Sequence, residues 1–198
     1  MGLLAILSDY FYVILLIIVI AYFVLQNNKT ITYYVEPSNI DVNFQNEVIK
    51  ILSTSKINDY YKIQPAGESS DITIRLVDRK KLHEDETSEY YPGTNKKIWF
   101  SYTWQHPKPH IGIDSGNWLY GVPESKLSLE EYRKYVIRHE FMHALGYDHQ
   151  PCNATTSING TCPVLYQATR GPPTGFNSGT DVIDADFKAR IDNAYLKN

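Results

Sequence analysis

The residues that could do chemistry lie close together. His139, Glu140, His143, Gly146 and His149 form the complete pattern H-E-x-x-H-x-x-G-x-x-H. Two histidines four positions apart on a helix project from one face, one turn apart. Two imidazoles so placed can bind one Zn²⁺ at about 2.0–2.1 Å each. Glu140 adjoins the first of them and can act on a water without ligating the metal, as a general base. Gly146 can leave the helix in a left-handed turn, bringing His149 back as a third ligand. Three protein ligands and an open fourth position mark a catalytic rather than a structural zinc site. By chance alone, five such fixed positions arise in a chain of this size on the order of 1 time in 100,000.

A helix must hold this pattern, and the residues before it supply one. Ser128-Leu129-Glu130-Glu131 is a capping box, with Ser128 as N-cap. The helix is expected to run to about Leu145 and stop at Gly146. Tyr132, Tyr135 and Val136 share the histidine face. Ile137, Phe141, Ala144 and Leu145 cover the opposite one, so this helix is expected to be buried, and buried histidines need partners. Thr30 to Val35, Asp71 to Val77, Lys97 to Trp104 and His110 to Asp114 read as strands. Val42 to Leu52 and Asp181 to Leu196 read as amphipathic helices, and Ser115-Gly116-Asn117 reads as a turn. The order predicts an α+β fold: a small twisted mixed sheet with an active-site helix and a C-terminal helix.

The motif resembles that of the metzincin clan of zinc endopeptidases. The resemblance implies a five-stranded twisted sheet over the active-site helix, a cleft below a rim strand, and peptide-bond hydrolysis. It also implies a methionine turn beneath the metal. Cys162-Pro163-Val164-Leu165-Tyr166-Gln167 is the candidate, and Leu165 stands where the methionine is expected. Leucine is apolar and of similar volume, so the hydrophobic floor can survive. Tyr166 would then be an oxyanion stabiliser or a further metal ligand, as in some clan members, or else an ordinary packed tyrosine. The His110–Asp114 strand falls where the resemblance places the substrate-binding edge, to which an extended peptide could add. The C-terminal part is also similar to a small actinobacterial domain family of unknown function, with a short Cys-Pro loop after the third histidine.

The remaining features concern location and accessories. Leu3 to Leu25 is a 23-residue stretch, almost wholly apolar, against the roughly 20 needed to span a bilayer. No lysine or arginine precedes Lys29 and no small-residue cleavage site follows, so an uncleaved anchor fits better than a cleaved signal or a core helix. The expected organisation is an anchor over residues 1–28 and a zinc metalloprotease domain over residues 29–198. Cys152 and Cys162 are a candidate disulfide, with two unpaired thiols as the alternative. Asn28, Asn153 and Asn159 head N-x-[ST] sequons. Together these favour an extracytoplasmic domain, lumenal or extracellular. His83, His106 and His110 read as surface histidines, Asp148 and Gln150 as candidates to support His149, and Trp99, Trp104 and Trp118 as candidates to line a cleft. Tyrosine is abundant, 16 against 7 phenylalanines, which suits half-exposed strands and clefts. A net charge of −3 carries no basic footprint for nucleic acid.

The expected function is a membrane-anchored endopeptidase, cleaving peptide or protein substrates with a zinc-bound water and Glu140 as base. Two alternatives stand beside it: a tethered binding ectodomain in which zinc only holds the fold, and a zinc hydrolase of a non-peptide amide.

Overall fold

A computed structural model describes residues 14–15, 30–83 and 89–187 of the 198. The expected anchor over Leu3 to Leu25 lies outside the described residues except for Ile14 and Leu15, which are helical. No helix among the described residues is long and apolar enough to cross a membrane.

The framework is a five-stranded mixed sheet. Its strands are β1 (Ile31–Val35), β2 (Ile63–Pro65), β3 (Ile72–Val77), β6 (Tyr102–Trp104) and β7 (His110–Asp114), in the order β2-β1-β3-β7-β6. Four strands run parallel, and β6 at the edge is antiparallel to β7. A separate hairpin pairs β4 (Glu89–Tyr90) with β5 (Lys97–Ile98). The period-two pattern of β3 buries Ile72, Ile74 and Leu76 on one face. Register places Ile111 opposite Ile74 and Ile113 opposite Leu76, so both strands feed one core.

Helices cover that face. In α1 (Phe44–Ser53), Phe44, Val48, Ile51 and Leu52 are buried, the stripe its sequence predicted. The short α2 (Arg79–Leu82) follows β3, and α3 (Ser115–Tyr120) follows β7. Trp118 of α3 is fully buried and meets Phe44 edge to face at 5.0 Å. The long α4 (Leu129–Ala144) starts at Ser128 with both halves of the capping box formed. It buries Tyr132, Tyr135, Val136, Ile137, Phe141 and Met142.

Several expectations are corrected. Lys97 to Trp104 is not one strand. It breaks at Trp99–Ser101, its two ends joining different sheets. The Ser101 hydroxyl accepts from the Asp114 N–H (3.0 Å), which anchors the break beside the end of β7. His110 to Asp114 is an inner strand, because β6 pairs along it and becomes the rim. Ser115-Gly116-Asn117 opens a helix rather than a turn, since Asp114 caps it through the Asn117 N–H. His83 is buried, 3.2 Å from the Asp114 carboxylate that also binds Arg79. His106 is exposed, and His110 stacks on Trp104 at 4.9 Å. That stack covers Gly112, where a Cβ would lie 2.9 Å from the Trp104 ring. Of the expected C-terminal helix, residues 184–187 are helical, and the part beyond Phe187 lies outside the described residues.

Candidate metal centre

The end of α4 orients the histidines. Gly146 has φ +91°, and the Tyr147 N–H bonds back to the Met142 carbonyl while the Gly146 N–H bonds to that of His143. This is a Schellman stop, and the glycine is needed for its left-handed residue. The same turn aims the Tyr147 carbonyl at His143, whose Nδ1 donates to it at 2.6 Å. His139 Nδ1 donates to the Val164 carbonyl at 2.7 Å. Carbonyls only accept, so both Nδ1 atoms carry the proton and both Nε2 atoms present lone pairs.

Those two Nε2 atoms are 3.1 Å apart. Two lone pairs at that distance repel unless a cation sits between them. Tetrahedral ligands at about 2.0–2.1 Å from Zn²⁺ would lie about 3.3 Å from each other. His149 completes the group: one ligand atom from each of His139, His143 and His149 falls within 4.8 Å of the others. The expected triad is thus brought together, and its donor set fits a metal ion.

Protonation favours the same reading. Burial pushes the His139 imidazole well below its usual range, with the neighbouring histidines adding to the effect. Burial also lowers His143, and it takes His149 down to about 4. Neutral imidazole is the metal-binding form. Burial pushes the Glu140 carboxyl the other way, up to about 7, against the pull of a hydrogen bond from Thr103. A bound cation would lower it again.

The turn beneath the histidines is firmly held. Val164 and Leu165 are fully buried, and their N–H groups donate to Asp186 at 3.3 Å each. The Gln150 N–H donates to the Leu165 carbonyl at 3.2 Å, tying the segment after His149 to the turn. A disulfide between Cys152 and Cys162, with Cα atoms 5.1 Å apart, joins the same two segments covalently. Leu165 is thus a buried residue of the turn whose Val164 carbonyl accepts from His139. The Tyr166 hydroxyl donates to the Gly171 carbonyl at 2.8 Å. Asn153 and Asn159 are exposed, whereas Asn28 lies outside the described residues. Asn159 and Gly160, both at positive φ, make the tight turn between Ile158 and Thr161.

An open cleft of about 650 Å³ runs between β6 and α4 over the histidines. Thr103, Gln105, Tyr135, Asp148, Gln167 and Thr169 line it with the triad and Glu140. Asp148 thus faces the cleft, while Gln150 is buried behind it. None of Trp99, Trp104 or Trp118 lines this cleft: Trp99 lies under Arg79 and Lys97, and the other two pack as described above. Sequence reasoning missed two groups here. Thr103 looked like one polar residue in an aromatic strand. Asp186 falls inside the amphipathic segment Asp181 to Leu196 with no motif to single it out, yet it is fully buried and burial lifts it to about 6. An acid flanked by Ala185 and Phe187, close to a helix start, was the signal available.

Fold and site together define an α+β domain with a three-histidine group able to hold a metal ion. The chain belongs to DUF3152, a family of proteins of unknown function whose model matches residues 53–195, the histidine motif and the turn included. No curated protein matches the chain.

The titration of the site separates two events. Were Glu140 to serve as a base, it would do so only when ionised, so any turnover it supports would be lost as the pH falls through its pKa. For His149, lowered when folded, stability from the neutral form is present above about 6.5 and lost as pH falls through about 4. The expected result is an acid limb in kcat/KM that precedes metal release. Parallel pH series of kcat/KM and of metal content check it, and coincident limbs would contradict it.

Proposed function

We propose that this protein is a zinc-dependent endopeptidase, tethered by its N-terminal apolar segment, with an extracytoplasmic catalytic domain. The observation that carries the reading is the pair of imidazole lone pairs 3.1 Å apart, joined by a third histidine and adjoining a buried carboxylate. His139, His143 and His149 would hold the ion, and the resemblance of their motif to metzincins gives its identity as zinc. When bound, zinc would supply Lewis acidity, polarising a water and the scissile carbonyl.

The chain's own residues would do the rest. β6 is the rim strand of the sheet, along whose outer edge an extended peptide can align. Glu140, which adjoins the triad and lines the same cleft, takes a proton from the attacking water and delivers it to the leaving amine. The Val164 and Tyr147 carbonyls keep two imidazoles in the ligating tautomer. The Cys152–Cys162 disulfide supports an oxidising compartment, and hence the placement outside the cytoplasm.

The test is cleavage of a peptide library by the full zinc-loaded chain, read by mass spectrometry. Cut sites that vanish on chelation are expected. A zinc-loaded chain that cleaves no peptide would turn the reading toward a binding ectodomain or a non-peptide amide.

A further inference from the structure

Glu140 does not sit alone in the cleft. Thr103 is the middle residue of the three-residue rim strand β6 and is paired with Ile111. Ile111 is fully buried in the core beneath the helices, so Thr103 turns toward α4, while Tyr102 and Trp104 turn to the other side. Its hydroxyl lies 2.7 Å from Glu140 Oε2 and 3.0 Å from the Glu140 carbonyl oxygen. Among the described residues, nothing donates to Glu140 Oε1.

We infer that Thr103 is the positioning residue for Glu140, holding Oε2 against the rim strand so that Oε1 alone is left to receive the proton. This rests on Glu140 being the base, as proposed above. The geometry has a reason. A glutamate side chain has three rotatable bonds, and a carboxylate held at neither oxygen has no contact that fixes which one faces the cleft. One hydrogen bond to Oε2 from a β-branched residue, itself stiff about χ1, removes most of that freedom. It leaves the second oxygen unencumbered. The hydroxyl belongs to the strand along which a peptide would lie, so carboxylate and substrate would share one frame.

Thr103→Val removes the hydroxyl and keeps the β-branched shape, whereas Thr103→Ser keeps the hydroxyl. With zinc-loaded full chain, kcat of the valine variant is expected to fall about 10- to 100-fold with KM nearly unchanged. The serine variant should stay close to the parent. Zinc content and melting temperature should match in all three. A second readout needs no substrate: acetohydroxamic acid, which binds zinc as its anion and needs a base to take its proton. Its affinity should fall about 10-fold in the valine variant and not in the serine variant. If valine destabilises the strand, Thr103→Ala against Thr103→Ser carries the same contrast. Equal acetohydroxamate affinity in valine variant and parent would overturn the inference, whether or not peptides are cleaved. So would an equal loss in the serine variant. A hydroxyl-dependent acetohydroxamate affinity in a chain that cleaves no peptide would keep the inference and remove the endopeptidase reading.

Discussion

Replacing Glu140 by alanine is expected to abolish turnover while leaving the metal in place. Glu140 is fully embedded beside the triad but offers no ligand atom to it, so its loss should not change zinc stoichiometry. What would be lost, on the proposed mechanism, is the group that takes and returns the proton. General acid–base catalysis contributes typically about 10²–10⁴-fold, and in the proposed mechanism one carboxylate would serve both transfers, so a loss near the upper end is expected. Glutamine should do little better, since it keeps the shape and the contact to Thr103 but cannot accept the proton. The contrast between the two variants separates chemistry from packing. Alanine also leaves the Thr103 hydroxyl with only the Glu140 carbonyl to bond. Steady-state kinetics with metal analysis on the same samples reads the outcome. Turnover retained in either variant would remove Glu140 from the mechanism.

The second large effect is expected at His139. Alanine there removes one imidazole of the triad and also leaves the Val164 carbonyl without its 2.7 Å donor. Zinc binding should be lost, and with it the stability that binding confers. At free zinc about 1,000 times Kd, that stabilisation is about 4 kcal/mol. In a chain of this size it corresponds to about 8–16 °C in melting temperature. The expected pattern has an internal control. Chelation should lower the melting temperature of the parent by that amount and leave the His139→Ala variant unmoved, because it has no metal to lose. A parent indifferent to chelation would show that the triad holds no ion of consequence.

What the sequence made legible follows from the range of the interactions involved. The start and stop of α4 were readable because both are local: Ser128 and Glu131 close one box, and Gly146 supplies one left-handed residue. The triad was readable because two ligands share a helix face and the third follows a short turn. The rim strand was misplaced for the opposite reason. Whether His110–Asp114 lies at an edge depends on what pairs beside it, and that partner is a three-residue strand cut out of an aromatic run. His83 belongs to no ligand spacing and so reads as a surface residue, yet Asp114, 31 positions away, holds it inside. Asp186 and Thr103 act on the site through contacts 21 or more positions long, and no spacing rule reaches them.

The most direct test of the central claim is a single reconstitution series. The full chain is stripped with a chelator, reloaded with one equivalent of zinc, and assayed against a peptide library at each stage. The account predicts one high-affinity zinc per chain, no cleavage when stripped, and the original cut sites restored on reloading. A chain that binds no zinc, or one whose peptide cleavage persists undiminished after stripping, would contradict it.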